Sequence, residues 1–207
     1  IEDSAHALGS SYSHKKCGKL GDLSIFSFTP HKIITMGQGG MILTDKKTLS
    51  SIIEGLKTFN RSGDKSDVHK GFGLNFKITD LQAAMGNSQF KKLGKHIEGK
   101  KKLLNNYKNN ISDEYKIIEF NKHEVPWFID ICFNSKSKRT NAKGKLDDQG
   151  IETRLSYPPL SKQKYLKKYA NNNLNYSESV YEKILWMPSS INLTKKNILN
   201  ICSVINE

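Results

Sequence analysis

Residues 24–41 read SIFSFTPHKIITMGQGGM, and this stretch decides how the rest of the chain is interpreted. The apolar, β-prone run 24–28 predicts a short buried strand, and Thr29 and Pro30 predict a turn after it. Lys32 follows in an otherwise uncharged window that ends in a glycine-rich turn. Desolvation of an amine there would lower its pKa and expose a nucleophilic lone pair for Schiff-base chemistry. The alternative is a lysine that only extends from a loop into solvent.

The composition is that of an ordinary soluble globular protein. The chain has 207 residues, of which 36% are hydrophobic and 26% charged, enough for one large domain or two small ones. No apolar run approaches the roughly 20 residues of a membrane span, and no signal-peptide pattern is present. The sequence begins with Ile-Glu-Asp rather than Met, directly at a predicted strand end, and is interpreted as a fragment without its N-terminal part.

The formal net charge of +13 raises the question of a nucleic-acid partner. The lysines are scattered among Asn and Ile residues, and no aromatic side chains alternate with them as a base-stacking surface requires. We therefore expect no nucleic-acid partner, although the charge favours an anionic small molecule such as a nucleotide.

The cysteines and histidines indicate neither disulfides nor a metal. Cys17, Cys132 and Cys202 are odd in number and far apart, which fits no disulfide framework or metal motif. The six histidines show no paired ligand spacing. These features predict a cytoplasmic protein without a bound metal.

The first half of the chain has an α/β pattern. A second strand is predicted at 41–44 and a helix at 49–58, followed by a polar, glycine-dotted loop at 59–73 that we expect to be functional or mobile. Thr79 and Asp80 predict a helix start. This helix is expected to continue to about Tyr107, weakened or kinked at two glycines, Gly94 and Gly99.

The second half alternates strands and helices. Strands are predicted at 115–120, 126–133 and 151–157, and a helix at 137–149 ends at Gly150. Thr194 predicts the N-cap of a final helix, with residues 186–188 as the segment before it. We place the incomplete large domain at 1–95 and a small C-terminal domain at 96–207.

The start of the chain supplies partners for Lys32. In IEDSAHALG, Asp3 and His6 share a tight turn at a predicted strand end, where an acid in an α/β fold faces the ligand crevice. Alternatively, Asp3 caps a short helical turn. Together with Ser27, these residues fit pyridoxal 5′-phosphate, which needs a lysine, a carboxylate against its ring nitrogen and hydroxyl donors for its phosphate.

Three long segments carry a family resemblance: EDSAHALGS, GDLSIFSFTPHKIITMGQGGMILTD and GFGLNFKITDLQAAMGNSQFKKL. In this order they resemble the DegT/DnrJ/EryC1/StrS sugar aminotransferases, and VPWFIDICF and IETRLSYPPL resemble the C-terminal domain of that family. The resemblance implies an α/β fold: the C-terminal part of a fold type I pyridoxal-phosphate transferase large domain, with a mostly parallel sheet, plus a smaller α+β domain.

The resemblance also implies roles for individual residues. Lys32 is the Schiff-base lysine and proton shuttle, Asp3 pairs with the pyridinium nitrogen, and His6 lies beside the ring and its hydroxyl. Ser27 binds the phosphate, and Asn75 reaches the phosphate of the neighbouring subunit's cofactor, which implies a homodimer with shared active sites. Alternatively, Ser27 is a strand serine bonded to a carbonyl, and Asn75 is a loop residue in a left-handed conformation.

The implied reaction moves an amino group from glutamate to a nucleotide-linked keto-deoxy sugar. The segments PWFIDI and MPSSINLT resemble perosamine-forming members, which implies GDP-4-keto-6-deoxymannose and surface polysaccharide biosynthesis. Arg61, Arg154 and Tyr157 are candidates for substrate contacts. A dehydratase relative, in which histidine replaces the lysine, and a non-catalytic regulatory or degenerate homologue are the alternatives. The absent N-terminal part would hold a phosphate loop and a ring-stacking aromatic residue, so this stretch alone is expected to bind the cofactor poorly.

Overall fold

The computed structural model describes residues 1–63, 67–169 and 174–207, which form two compact units. The first unit comprises Ile1–Ile97 and Lys122–Val125, and the second comprises Glu98–Asn121 and Pro126–Glu207. The assignment of a large domain at 1–95 and a small domain at 96–207 concerns the fold of the whole protein and stays a prediction.

The first unit contains a small mixed sheet and a hairpin. Its central strand pairs parallel with the first strand of the chain and antiparallel with the last strand of the sheet, in the order β1-β4-β5. The hairpin β2-β3 lies between the first and the central strand in the sequence. The strands are β1 (Glu2–Asp3), β2 (Ser11–Tyr12), β3 (Lys15–Lys16), β4 (Ser24–Ser27) and β5 (Gly40–Leu43).

Three helices follow the sheet: α1 (Lys47–Lys57), α2 (Asp80–Phe90) and α3 (Leu93–Lys108). Thr79 caps α2 through a reciprocal capping box with Gln82. The prediction of one continuous helix to about Tyr107 is wrong, because the chain turns at Lys91 and Lys92.

The break between α2 and α3 combines a local hydrogen bond with a packing contact to a distant part of the chain. The Lys92 N–H donates to the Gln89 carbonyl at 2.9 Å, a tightened bond that closes the last turn of α2. Leu93 then starts α3 by packing against the buried cluster of the first unit. Gly94 and Gly99 both lie inside α3 and do not interrupt it.

The apolar core of the first unit is small. Phe26, Phe28, Ile34 and Met36 form it, with Leu8 and Leu93 packed against them. Many other large apolar side chains of β5, α1, α2 and the loop before α2 are exposed, among them Met41, Ile42, Ile52, Leu56, Phe76 and Leu81. This unit therefore leaves apolar faces open within the described chain.

The second unit is an antiparallel sheet in the order β6-β7-β9-β8, covered by helices. Its elements after α3 are β6 (Lys116–Ile117), β7 (Ile129–Cys132), α4 (Lys136–Asp148), β8 (Arg154–Leu155), the 3-10 helices Leu160–Lys162 and Lys164–Tyr169, α5 (Asn175–Val180), the 3-10 helix Tyr181–Lys183, β9 (Ile184–Met187) and α6 (Lys195–Asn206).

Strand β9 is a buried element that sequence reasoning missed. All four of its residues are buried, and it pairs with both β7 and β8. A short continuous apolar run fits a buried strand and a helix segment equally well, so its periodicity gives no assignment. The predicted caps nearby are confirmed: Thr194 forms a capping box with Asn197, and Gly150 follows α4 with φ +67°.

One contiguous apolar cluster holds the second unit together. It joins one face of β7 and β9 to α3, α4 and α6, through Leu103, Leu104, Tyr107, Ile129, Ile131, Phe133, Ala142, Leu146, Leu185, Met187, Ile198, Ile201, Cys202, Val204 and Ile205. At its margin, the buried Lys100 Nζ donates to the carbonyls of Trp127 at 2.9 Å and Ser189 at 2.7 Å. Burial lowers the pKa of Lys100 to about 8.

Two classes of feature are absent from the described ranges. None of their helices is both long enough and apolar enough to cross a membrane. The same ranges contain no group of three or more His, Cys, Asp or Glu side chains that could hold a metal ion.

Candidate active site

The parallel pair β1 and β4 brings four predicted cofactor residues to one edge of the sheet. Because the two strands run in the same direction, their carboxyl ends lie side by side. Asp3 ends β1, and Ser27 ends β4. His6 and Lys32 lie in the turns that follow these two strands. The sheet topology therefore gathers residues from two separate motifs.

Asp3 both ends its strand and shapes the turn after it. Asp3 Oδ1 accepts a hydrogen bond from the Ala5 N–H at 3.0 Å, and the Ala7 N–H donates to the Ser4 carbonyl at 3.0 Å. The segment is a turn rather than a helix, so Asp3 does not cap a helix there. Only one of its carboxylate oxygens binds the backbone of the turn. Within the described ranges, Asp3 Oδ2 accepts no hydrogen bond, and the side chain is exposed.

Lys32 lies in the loop between β4 and β5, residues 28–39, which is called the Lys32 loop below and is closed at its base by hydrogen bonds. The Phe28 N–H donates to the Gly39 carbonyl at 2.9 Å, and the Met36 N–H donates to the Phe28 carbonyl at 3.0 Å. Near the tip, the Lys32 N–H donates to the Thr29 carbonyl at 3.1 Å. The two isoleucines after Lys32 are buried. The backbone that carries the lysine is therefore held by hydrogen bonds and apolar packing.

The charges at this edge influence one another. Burial lowers the pKa of Lys32, and the Asp3 carboxylate opposes that shift. Burial also lowers the pKa of His6, the Lys32 ammonium lowers it further, and Asp3 raises it. Lys32 is half-buried. A lowered pKa increases the neutral, nucleophilic share of the amine.

Glu2 is a neighbour of the candidate site whose contacts sequence reasoning did not identify. Its carboxylate accepts hydrogen bonds from Ser4 Oγ at 2.6 Å, the Gly18 N–H at 2.7 Å, the Leu20 N–H at 2.9 Å and Ser24 Oγ at 2.8 Å. Desolvation opposes ionisation of Glu2, but these four bonds outweigh it and lower the pKa to about 2. Glu2 thus fastens the strand that carries Asp3, and no local sequence pattern signals its distant partners.

Ser27 and Asn75 have side chains that this part of the chain leaves available. The Ser27 hydroxyl makes no hydrogen bond to another described residue, so the carbonyl-bonded alternative is not observed there. Asn75 pairs through its backbone with Thr58, beyond the end of α1. It is not left-handed; the positive φ angles in that loop belong to Phe59 and Asn60. Its side-chain amide likewise has no hydrogen-bond partner among the described residues.

Arg61 lies in the loop after α1. Its guanidinium is 5.1 Å from the centroid of the Phe59 ring and 3.6 Å from the carboxylate of Asp67. Its backbone forms an isolated bridge with His69. The predicted loop 59–73 also contains residues 64–66, which lie outside the described residues.

Arg154 and Tyr157 form part of an aromatic cluster in the second unit. The Arg154 guanidinium lies 5.0 Å from the Tyr157 ring centroid and 5.5 Å from that of Trp186. Trp186 stacks on Phe128 with ring centroids 4.5 Å apart. No ion pair joins Arg154 to a described carboxylate, so its donors are oriented by the rings and remain available for an anion.

Comparisons with known proteins find relatives and a solved structure that resemble this chain over most of its length. GDP-perosamine synthase of Escherichia coli O157:H7 is 31% identical over 210 residues, covering 100% of this chain and 57% of that protein. A UDP-4-amino-4,6-dideoxy-N-acetyl-beta-L-altrosamine transaminase of Campylobacter jejuni is 30% identical, covering 91% of this chain and 52% of that protein. The crystal structure of a DegT DnrJ EryC1 StrS aminotransferase from Brucella abortus superposes with a TM-score of 0.89 at 26% identity, covering 99% of this chain and 56% of that one.

The chain thus spans little more than half the length of these relatives. The family described as DegT/DnrJ/EryC1/StrS aminotransferases matches residues 1–206. On the strength of that match and of the shared fold, this chain belongs to the DegT/DnrJ/EryC1/StrS aminotransferase family, whose cofactor is pyridoxal 5′-phosphate.

Proposed function

We propose that the protein containing this chain is a pyridoxal-phosphate-dependent aminotransferase that moves an amino group from glutamate to a nucleotide-linked keto sugar. The observation that carries this proposal is the group of mutually interacting charges Asp3, His6 and Lys32 at the carboxyl ends of two parallel strands. Family membership supplies the reaction class.

The side chains at this edge fit the cofactor. Lys32 offers an amine whose burial favours the neutral form, Asp3 offers a carboxylate with an unused oxygen, and Ser27 offers a free hydroxyl. We assign Asp3 to the ring nitrogen, His6 to the ring face and its hydroxyl, and Ser27 to the phosphate. When bound, pyridoxal 5′-phosphate supplies an electron-withdrawing ring that stabilises negative charge at the reacting carbon.

Lys32 and Asp3 would then control the proton transfers of the reaction. The neutral Lys32 Nζ would accept a proton from the reacting carbon and would later donate it again, and the lowered pKa of Lys32 favours the neutral, accepting form. The Asp3 carboxylate would hold the ring nitrogen of the cofactor in its protonated form. Lys32 also disfavours the dehydratase alternative, in which a histidine stands at this position.

For the sugar substrate we propose GDP-4-keto-6-deoxymannose, aminated for surface polysaccharide biosynthesis. The support is the 31% identity to a GDP-perosamine synthase. Arg61, Arg154 and Tyr157 are the proposed substrate-contacting residues. Arg154 is the best supported of them, because a ring-oriented guanidinium without an ion-pair partner among the described carboxylates suits a diphosphate.

We further propose a cytoplasmic homodimer with shared active sites. Asn75 carries an uncommitted amide, which would serve the neighbouring subunit's cofactor phosphate. Cys17, Cys132 and Cys202 are free thiols, which suits a reducing compartment.

The whole protein provides the test. Lys32→Ala should abolish the visible absorbance of the lysine-bound cofactor and slow amino transfer by about 10²–10⁴-fold or more. Lys47→Ala, at the exposed start of α1, is the matched control and should change neither property. A colourless wild-type protein that transfers no amino group from glutamate to any nucleotide keto sugar would contradict the proposal.

A further inference from the structure

A histidine of α3 is hydrogen-bonded to the backbone beside Lys32. His96 Nδ1 lies 2.9 Å from the carbonyl oxygen of Ile33, in a partly buried contact between residues 63 positions apart. A carbonyl oxygen can only accept, so Nδ1 carries the hydrogen and donates it.

The same face of α3 supports two segments of the candidate active site. Leu93, His96 and Ile97 lie at helical spacings of three and four residues, which places them on one face. Leu93 packs against the buried cluster that includes Phe28 and Met36, at the base of the Lys32 loop.

Ile97 completes this face by packing on Gly9, three residues after His6. A Cβ added to Gly9 would lie 2.5 Å from Ile97 Cδ1, and Gly9 has a φ of +89°. The start of α3 therefore contacts both chain segments that follow β1 and β4.

We propose that His96 is a positioning residue, which fixes the backbone at the tip of the Lys32 loop and thereby the direction in which the lysine side chain leaves it. The inference rests on the proposed role of Lys32. The hydrogen bonds of Phe28 with Gly39 and Met36 hold the base of the loop, whereas the His96 bond holds it next to the lysine itself. Reacting groups must be held to within about 0.5 Å of their productive geometry, so a tether at the adjacent residue matters.

The test uses the whole protein freed of cofactor, with two readouts. The first is amide hydrogen exchange over residues 29–36. The second is the pH dependence with which a small amine-reactive aldehyde, trapped by reduction, labels Lys32 as measured by mass spectrometry. His96→Phe keeps a ring but removes the donor, and His96→Asn keeps an amide donor near the position of Nδ1.

His96→Phe should speed exchange in the loop about five- to tenfold, the effect of losing one hydrogen bond. It should also move the labelling midpoint of Lys32 upwards, because a looser loop lets water reach the amine that burial now protects. His96→Asn should restore both properties towards wild type.

His69 offers a matched control in the same unit. Its Nδ1 lies 2.6 Å from the Phe59 carbonyl, the same chemistry in a different loop. His69→Phe should leave Lys32 labelling unchanged. If His96→Phe does not fold, His96→Gln, which displaces the donor by one carbon, replaces it with the same expectation.

Unchanged exchange and labelling in the His96 variant would overturn the proposal. So would faster exchange with an unchanged Lys32 midpoint, because the histidine would then serve only the fold. Neither readout needs substrate or bound cofactor, so a failure of the proposed aminotransferase function would be recognised separately.

Discussion

Each of the two units of the chain is stabilised internally in a different way. The second unit buries one contiguous apolar cluster between its sheet and three helices. The first unit buries a far smaller cluster, exposes apolar side chains of β5, α1 and α2, and fastens its strands through the carboxylate of Glu2. Apolar burial is the main favourable term in folding. The first unit, which contains Lys32, therefore gains less stabilisation from its own residues than the second unit does.

The largest expected effect comes from separating the two units. A polypeptide of residues 93–207, beginning at the start of α3, should unfold cooperatively with a free energy of about 5 kcal/mol. Residues 1–97 alone should show no cooperative transition, because their exposed apolar faces need a cover. Urea unfolding followed by circular dichroism measures both. A monomeric 1–97 polypeptide that unfolds as cooperatively as 93–207 would contradict the expected difference in stability between the two units.

A matched pair of leucine substitutions comes next in size. Leu146 is fully buried in the cluster of the second unit, whereas Leu56 on α1 is 43% exposed. Leu146→Ala should lower the free energy of unfolding by about 3 kcal/mol, through lost burial and a residual cavity. Leu56→Ala should change it by less than about 0.5 kcal/mol in this chain. Equal losses in urea titrations would show that α1 is packed as tightly as α4.

The smallest effect concerns the polar network of the first unit. Glu2→Gln should lower the free energy of unfolding by about 1–2 kcal/mol. Four charged hydrogen bonds in a dry core would contribute more, but solvent screens this site. The pKa of Glu2 in the folded state is about 2, below its ordinary value of 4.5. Its stabilisation is therefore fully present above pH 4.5 and is lost as the pH falls towards 2.

Unfolding titrations between these two pH values provide the measurement for Glu2. The wild type should lose stability more steeply than Glu2→Gln as the pH falls, since glutamine has no proton to gain. Parallel pH profiles for the two proteins would show that other carboxylates dominate acid unfolding.

Local patterns predicted the elements that local physics determines. The Ser24–Ser27 strand, the caps at Thr79 and Thr194 and the glycine after α4 all follow from interactions within a few residues. The missed β9 and the missed break between α2 and α3 depend on what those segments pack against. Packing partners are distant in sequence, so a window of neighbouring residues does not contain the deciding information.

The candidate site divides in the same way. Asp3, His6, Ser27 and Lys32 stand in motifs long enough to indicate the family from the sequence, and their cofactor roles stay predictions. Their meeting at one sheet edge depends on the parallel pairing of β1 with β4.

Tertiary structure alone decided which residues support that edge. Glu2 acts through amides 16 and 18 positions away, and His96 acts through a carbonyl 63 positions away. The fold determines hydrogen-bond partners at such separations. Every residue except proline offers the same backbone amide and carbonyl, so the sequence does not indicate which of them a distant side chain contacts.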